Sequence, residues 1–502
     1  MLVFLGLHVA IALAVFEPKL HTGGDNAMYM LLADSFHGQG AVYHTNIDPG
    51  PPTPHTKYPP VFPALLAFVQ LLFGQSVLAF KALSLAATTL SVYLFCRWTR
   101  GSFRRSVWIP MCAAFAVNPI VIEYSHWILT EAAFLLLSLA TLAVVERDRG
   151  ERLGRWFWLG LLGGALCFYT RQIGALMIAG VALSYLAGRR WRRLLVYGGL
   201  SAAVTVPWLL ASSRVTGESS PYFEEFRLRD VYAPEEGYLD LAGWVGRIFD
   251  NLSDYVFVQI PRTLAAIPAW HTSWIMDVAS FLLAALAVVG LALRLRRPQA
   301  TEGYFLLTAA ALLLFAQTVN DVRYLMPLVP IIFVYAAGAM EAGRERIGWL
   351  RRRLKRGLPT AVFVSFFALG TVSQAVLAPR TLATGRRVLG GESYAGYQPH
   401  WVNFFQAMDW VEANTPADAV FTVRKPRLFH LHTGRSGVVY PFSNDPETVF
   451  AQVETTDYVI LSSENTSVYL GTAIAAHLNR FELLFQTPEP APTYVLRLIP
   501  EP

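Results

Sequence analysis

Long runs of apolar residues, separated by short arginine-rich turns, form the dominant pattern from the N-terminus to residue 377. A helix of about 20 apolar residues crosses a bilayer, and several of the runs approach that length. The runs lie at 2–16, 61–96, 107–120, 129–145, 156–169, 173–187, 194–211, 273–293, 303–319, 323–340 and 358–377. The pattern predicts an α-helical polytopic membrane protein with about 11 transmembrane helices.

One run, at 61–96, is too long for a single crossing. Gly74 and Gln75 interrupt it with residues that are poorly suited to an apolar helix. We therefore expect a short helix at 61–73, followed by a true crossing at 77–96.

The distribution of arginine predicts the orientation, because cytoplasmic loops carry the excess of Lys and Arg. More than half of the 41 basic residues lie in five clusters between the runs, at 97–105, 147–155, 189–193, 294–297 and 344–356. With about 11 crossings and a cytoplasmic N-terminus, every cluster falls on the inner side. The first run lacks the basic segment and cleavage site of a signal peptide, so we interpret it as a transmembrane helix. We expect a multi-pass protein of the plasma (inner) membrane.

The outer face then receives two long loops, at 17–60 and 212–272, which belong to a membrane module at 1–378. The composition changes after this module, and short β-rich runs alternate with helical stretches. The β-rich runs lie at 419–423, 437–441, 457–462, 481–486 and 493–498, and the helical stretches at 401–413, 446–454 and 466–478. This alternation predicts a small extracytoplasmic α/β domain at 379–502.

Composition supports the membrane class, since 54% of the 502 residues are hydrophobic and only 15% are charged. The net charge of +6 does not indicate nucleic acid, because the basic residues are divided among short topology clusters. The three cysteines have no CxxC or Cys/His spacing. Neither a disulfide framework nor a cysteine metal site is predicted.

The first outer loop carries a candidate catalytic carboxylate. A pair of glycines precedes Asp25, and a helical pattern continues from there to Asp34. A carboxylate at a helix start either caps the helix, for about 1 kcal/mol, or serves as a general base. The sequence by itself favours the cap.

The same loop ends in a proline-rich segment that leads directly into an apolar helix. Lys57 and Tyr58 stand directly before Pro59 and Pro60, at the entry to this helix. A lysine at such a position either extends toward the membrane surface or holds a phosphate. His44, Asp48 and His55 could bind a divalent metal, but they show no fixed ligand spacing.

Four charged residues stand at the predicted outer ends of spans, where a charge needs a partner or a cavity. Arg171 either anchors a helical hairpin or contacts phosphate. Arg323 either contacts phosphate or forms an ion pair with Asp321 that caps the next helix. Glu131 follows Thr130 at a helix start, so it either interacts with the helix dipole, or it supports the site or contacts the sugar.

The order of these motifs resembles the GT-C superfamily of membrane glycosyltransferases. An apolar span precedes G-D-x-x-x-Y, which ends at Tyr29, and K-Y-P-P-x-x-P-x-L-L-A then comes before L-F-G. Later pieces agree: L-T-E-A-A around Glu131, Y-T-R-Q-x-G around Arg171, and R-Y-L-M-P-L-V-P from Arg323. The resemblance covers the bundle and is to the dolichyl-phosphate-mannose protein mannosyltransferase and aminoarabinose transferase type.

This resemblance implies an inverting transfer of one sugar from a polyprenyl-phosphate carrier to an acceptor hydroxyl at the outer face. Asp25 aligns with the family's catalytic base, and Lys57 and Tyr58 align with residues that hold the carrier phosphate. Arg171 and Arg323 are assigned to the same phosphate. Supporting or substrate-binding roles fall to Tyr29, Asp48, Glu131 and Asp321. The resemblance implies no required cofactor or metal, and the partners are the bilayer, the lipid-linked donor and an acceptor.

Two other classes of function remain open from the sequence. A lipid or sugar transporter or flippase also carries intramembrane arginines and glycine-broken spans. Against it, the spans show no paired halves and the polar residues concentrate at the outer rim. A membrane scaffold with an extracytoplasmic binding domain is the third interpretation. The sugar, the carrier length and the acceptor, whether protein, lipid or glycan, are also left open.

Overall fold

The computed structural model describes residues 1–38, 43–45, 47, 49, 54–148, 153–214, 226–231, 236–265, 274–317, 321–346, 357–464 and 466–500. The fold is mostly helical, with a five-stranded sheet near the C-terminus.

The helices and strands are numbered in chain order. The helices are α1 (Leu2–Ala14), α2 (Gly24–Asp34), α3 (Val61–Phe73), α4 (Val77–Thr99), α5 (Arg105–Ala116), α6 (Pro119–Glu123), α7 (Thr130–Val145), α8 (Arg155–Thr170), α9 (Ala175–Ala187), α10 (Trp191–Ser212), α11 (Leu241–Asp254), α12 (Ile260–Ala265), α13 (Trp274–Arg294), α14 (Ala300–Leu314), α15 (Val329–Arg346), α16 (Leu358–Leu389), α17 (Pro399–Asn414), α18 (Pro426–Thr433), α19 (Pro446–Val453) and α20 (Ser467–Ala476). The strands are β1 (Val420–Val423), β2 (Ser436–Val438), β3 (Tyr458–Leu461), β4 (Phe481–Gln486) and β5 (Tyr494–Leu498).

Many helix boundaries follow the apolar runs, but α16 continues 12 residues beyond the run at 358–377, to Leu389, and α15 begins at Val329, six residues after the start of the run at 323–340. The predicted division of the long run is confirmed, because α3 ends at Phe73 and α4 begins at Val77. Gly74 adopts a φ of 66°, a left-handed conformation that glycine reaches without steric cost. Helix α3 therefore ends directly before a glycine that adopts a non-helical backbone conformation.

By length and apolar composition, five helical segments of the described chain could each cross a bilayer. They are Val77–Thr99, Trp191–Ser212, Asp277–Arg294, Val322–Gly343 and Pro359–Leu389. A bent pair, Arg105–Ala116 with Pro119–His126, would make a sixth if its two parts form one span. Several further apolar helices are shorter, between 10 and 17 residues. The chain is thus a multi-pass membrane protein.

Contacts divide the chain into two compact units. The bundle unit contains Met1–Glu17, Thr56–Phe62 and Leu78–Ala383. The sheet unit contains Pro18–His55, Pro63–Val77 and Thr384–Pro502. The first outer loop was predicted at 17–60 as part of the membrane module; residues 18–55 group with the C-terminal residues, and 56–60 group with the bundle.

Within the bundle unit, α9 and α14 approach each other through glycine. A Cβ atom added at Gly180 would lie 2.5 Å from the backbone nitrogen of Tyr304, and one added at Gly303 would lie 2.8 Å from the Gly180 carbonyl oxygen. Small residues at helix crossings allow this backbone-to-backbone packing in membranes. The two glycines therefore fix the distance between the helices.

The sheet unit is a three-layer α/β domain. Its strand order is β2-β1-β3-β5-β4, with β1 parallel to both β2 and β3, and β5 antiparallel to β3 and β4. One face packs Phe421 and Ile460 against α17 and α18, and the other packs Val459 against α19 and α20. Because successive strand residues point to opposite faces, neighbouring residues of a strand contribute to different cores.

Helix α2, from the first outer loop, belongs to one of these cores. Ala27 is completely buried in the cluster that contains Phe404, Phe429 and Val495. The predicted α/β content of the C-terminal segment is confirmed, but α18 was not predicted and β2 is shorter than the run at 437–441. The helical pattern after Asp25 is also confirmed, since α2 covers Gly24–Asp34.

Candidate functional site

In the bundle unit, one buried carboxylate interacts with two arginines. The Glu131 side chain is only 2% exposed, and its Oε1 atom lies 2.5 Å from Nη1 of Arg171. The same oxygen lies 3.8 Å from Nε of Arg323. Guanidinium and carboxylate groups form strong charge-assisted hydrogen bonds. The structure thus brings together three residues that the sequence selected from three separate motifs.

Local backbone geometry positions each of the three side chains. Glu131 is in the first turn of α7, where the helix dipole favours a carboxylate. Arg171 follows α8 in an extended conformation, with a φ of −149° and a ψ of 135°. The one-turn 3₁₀-helix Gln172–Gly174 comes next, and a Cβ at Gly174 would overlap the Cys167 backbone. Arg171 is therefore held at a tight break between α8 and α9.

Asp321 fixes the backbone of the third residue. Arg323 lies in the 3₁₀-helix Val322–Leu328, and its N–H donates to Oδ1 of Asp321 at 3.0 Å. The Asp321 side chain also lies 4.0 Å from the Arg323 guanidinium. Asp321 thus performs the capping role that was one of its two predicted roles.

A tyrosine ring completes this arrangement. The guanidinium carbons of Arg171 and Arg323 lie 5.4 Å and 5.2 Å from the centre of the Tyr324 ring. An aromatic ring attracts cations through its quadrupole, and arginine is the cation most often found there. The ring and Glu131 together hold two guanidinium groups close to each other. Both arginine side chains keep some exposure, 18% and 23%, so neither is fully buried.

Lys57 and Tyr58 belong to the same unit and connect to this arrangement through Gln172. The Gln172 side-chain amide donates to the carbonyl oxygens of Thr56, at 3.3 Å, and Lys57, at 3.1 Å. Gln172 is the chain neighbour of Arg171, so the Lys57 backbone is fixed beside the arginine segment. Tyr58 is buried and Lys57 is half-buried.

Asp25 and Tyr29 lie in the sheet unit, on α2. Gly23 occupies the N-cap position and Asp25 falls within the first turn, so the cap position itself is not held by the carboxylate. The Asp25 side chain is 29% exposed, and its Oδ1 atom lies 3.6 Å from Nη1 of Arg427. Tyr29 is buried in the same helix. Asp48 lies outside the described residues.

Three contributors were missed from the sequence: Gln172, Tyr324 and Arg427. Gln172 and Tyr324 directly follow Arg171 and Arg323 in the motifs given above, so their position beside selected arginines could have identified them. Arg427 is in the first turn of the unpredicted helix α18 and belongs to no motif. In the part of the chain that the structure describes, no three His, Cys, Asp or Glu side chains group to hold a metal ion.

Sequence comparison identifies relatives over part of the chain. The model of glycosyltransferase family 87 matches residues 56–318, just over half of the sequence. The undecaprenyl phosphate-alpha-4-amino-4-deoxy-L-arabinose arabinosyl transferase 2 of Pseudomonas fluorescens is 30% identical over 177 residues, which are 32% of this chain and 31% of that protein. The chain thus aligns with about a third of that relative's length.

Solved structures share the fold at low sequence identity. ArnT from Cupriavidus metallidurans, bound to undecaprenyl phosphate, superposes with a TM-score of 0.59 at 14% identity, covering 99% of this chain and 97% of that one. The oligosaccharyltransferase AglB from Archaeoglobus fulgidus, in complex with an inhibitory peptide and a dolichol-phosphate, gives 0.54 at 14% identity, covering 98% and 74%. The family match confirms the GT-C resemblance.

Proposed function

Because the chain belongs to glycosyltransferase family 87, we propose that it moves a single sugar from a polyprenyl-phosphate carrier to the hydroxyl of an acceptor. The pair of guanidinium groups on Glu131 is the observation that carries this proposal. Arginine offers a planar fork of N–H donors that matches phosphate oxygens. The bound lipids named for the similar structures, undecaprenyl phosphate and dolichol-phosphate, support a carrier of this class.

Arg171 and Arg323 bind the carrier phosphate in this proposal. When the sugar leaves its carrier, negative charge develops on the phosphate, and cations already in place stabilise that charge without reorganisation. Two guanidinium groups would repel each other without a counter-charge, and Glu131 supplies it. Glu131 and Asp321 are therefore positioning residues, while the arginines contact the substrate.

Lys57 adds a third cation for the same phosphate, with Tyr58 supporting the segment. The hydrogen bonds from Gln172 hold the Lys57 backbone beside the arginine segment. The lysine ammonium is a compact point charge on a flexible stem, and phosphate is one of its common ligands in proteins.

Asp25 is the general base in this proposal, as the GT-C resemblance implies. It would take the proton from the acceptor hydroxyl as the oxygen attacks the anomeric carbon, so that the configuration inverts and the carrier phosphate departs. A base of this kind must be ionised and accessible. The Arg427 guanidinium at 3.6 Å and the partial exposure of the carboxylate support both conditions. Tyr29 and Asp48 belong to the same loop as supporting or substrate-binding residues.

The number of membrane crossings and the orientation of the chain are also part of this proposal. We place about 11 crossings in the plasma (inner) membrane, with the N-terminus in the cytoplasm and the sheet unit outside. The reaction needs no metal or cofactor in this scheme, because arginine and lysine provide the positive charge that a divalent cation supplies in other transferases.

The test incubates the purified chain with a panel of polyprenyl-phosphate sugars and follows carrier release by mass spectrometry. We expect at least one donor to release free polyprenyl phosphate when acceptor extract is added. Asp25→Asn should reduce this turnover at least 100-fold while binding of polyprenyl phosphate persists. Asp418→Asn, at an exposed position of the sheet unit, is the matched control and should keep wild-type turnover. Equal turnover in both variants would refute the role of Asp25, and a scaffold would show no turnover at all.

A further inference from the structure

The carboxyl ends of β1 and β3 form a topological switch point in the sheet unit. The chain leaves β1 toward β2, on one side, and leaves β3 toward β5 and β4, on the other. Open α/β sheets bind ligands in the crevice outside such strand ends, because the two loops diverge there. The diverging loops carry Arg424 and Lys425 after β1, and Glu464 after β3.

Lys425 has no carboxylate within ion-pair distance among the residues that the structure describes. Its side chain is half-buried, it makes no hydrogen bond or ion pair with the described residues, and its ammonium lies 5.9 Å from the centre of the Trp401 ring. Burial lowers the pKa of Lys425, and the nearby arginines 424 and 427 lower it further, against the effect of Glu464 and Asp25. A half-buried ammonium without a partner is costly, so an anion in the crevice would stabilise it.

Glu464 presents the complementary feature, an acceptor without a donor. Its Oε1 atom is buried and receives no hydrogen bond from any residue in the described ranges. Burial raises the pKa of this carboxyl, although Lys425 and Arg424 oppose the shift. A buried acceptor usually has a donor in the functional state. A ligand with a hydroxyl group would provide one.

The other two cations of the loop are already engaged. Arg424 donates to the Thr466 hydroxyl at 2.5 Å and lies 4.6 Å from the Phe442 ring centre. Arg427 faces Asp25. Lys425 is therefore the cation of this loop that is available to a ligand, and Asp25 is tied to the same loop.

We propose that this crevice binds the acceptor through an anionic sugar, one that carries a phosphate or a carboxylate. The anionic group pairs with Lys425, a sugar hydroxyl donates to Glu464, and the Trp401 ring provides an apolar surface for the sugar face. The inference deepens the proposed function, on which it rests: the base Asp25 would act on an acceptor held by residues of its own unit.

Binding of simple sugars to the full-length chain in detergent tests this inference by calorimetry. The probes are glucose 1-phosphate, glucuronate and glucose, which separate phosphate, carboxylate and neutral ligands. We expect at least one anionic probe to bind about tenfold more tightly than glucose, and Lys425→Gln to remove that preference. Lys425→Arg should retain it. Arg497→Gln, on an exposed residue of β5, is the matched control and should bind like the wild type.

A lysine-specific signal distinguishes this site from the carrier-phosphate site. The chain has five lysines, so ¹³C-methylated lysine side chains give a small set of resonances, and Lys425→Arg identifies the one from Lys425. An anionic probe should raise the titration midpoint of that resonance. The inference would be overturned if Lys425→Gln bound the anionic probes as tightly as the wild type. It would also be overturned if neither anionic probe changed the titration midpoint of the Lys425 resonance.

The two proposals fail separately. If Asp25→Asn turns over like the wild type while Lys425 still governs binding of the anionic probe, the proposed base is wrong and the crevice stands. If transfer requires Asp25 but Lys425→Gln binds every probe like the wild type, the crevice is wrong and the transferase stands.

Discussion

Replacing Glu131 by glutamine would test the charge balance of the arginine pair. The substitution keeps the size of the side chain and removes its negative charge. Oε1 of Glu131 lies 2.5 Å from Arg171 and 3.8 Å from Arg323, so both guanidinium groups would lose their shared counter-charge at once. Their mutual repulsion would then act in a partly buried environment, where it is weakly screened.

The expected destabilisation follows from the burial of the three groups. Removing one partner of a buried ion pair costs about 3–5 kcal/mol, because the other partner stays buried without compensation. The two arginine side chains are 18% and 23% exposed, so water replaces part of the lost interaction. We therefore expect the lower end, about 3 kcal/mol. The double variant Glu131→Gln/Arg171→Gln removes the excess cation and should recover part of this loss.

Unfolding in mixed micelles of increasing SDS content, followed by tryptophan fluorescence, measures these differences. Glu341→Gln is the matched control, because Glu341 accepts a hydrogen bond from the Arg104 N–H at the surface of the same unit. It should cost less than about 1 kcal/mol. Donor kcat/KM should also fall in Glu131→Gln. The idea that Glu131 neutralises the arginines would be refuted by either of two results. One is a free energy of unfolding of Glu131→Gln equal to that of the wild type. The other is a loss of stability in the double variant equal to the sum of the losses in the two single variants.

Three further outcomes follow from the geometry. Arg171→Lys keeps the charge but loses the planar fork, so donor kcat/KM should fall about 10–100-fold in the carrier-release assay; an unchanged value would exclude a direct phosphate contact. Gly180→Val places a side chain against the backbone of α14 and should destabilise the bundle by about 2 kcal/mol in SDS unfolding. Gly198→Val, where an added Cβ meets nothing within 4 Å, is its control, and equal losses would contradict the close packing. Because the folded-state pKa of Lys425 is lowered, its burial penalty is complete below that pKa and disappears as the pH rises to 10.5. The wild type should therefore gain stability relative to Lys425→Met as the pH increases through that window, and a constant difference would refute the burial.

Much of the architecture could be predicted because a bilayer imposes a simple length on apolar helices. The limits of α3, α4, α7 and α13 follow their apolar runs within three residues. The strands of the C-terminal domain were also located, since short β-rich runs between turns have few alternative structures. The helix α18 was missed because its eight residues cover only about two turns, too few for a helical period to be recognised.

The partners of the candidate residues could not be predicted in the same way. Glu131, Arg171 and Arg323 were each selected, but every one had a local explanation that the sequence could not exclude. Their shared interaction depends on three chain segments meeting in space, which local periodicity does not encode. Arg427 shows the same limit more strongly, because 402 positions along the chain separate it from Asp25.

The grouping of residues 18–55 with the last part of the chain has a consequence for biogenesis. Helix α2 is translated near the beginning of synthesis, but the core that buries Ala27 is completed only when β5 emerges from the ribosome. Contacts of such long sequence separation form late, since a long loop must close before they stabilise anything. A chain that stops at residue 383 would therefore present the Asp25 helix with its apolar side exposed to water. A protein shortened in this way would also lack Arg427, the cation that faces the proposed base, so we expect it to be inactive.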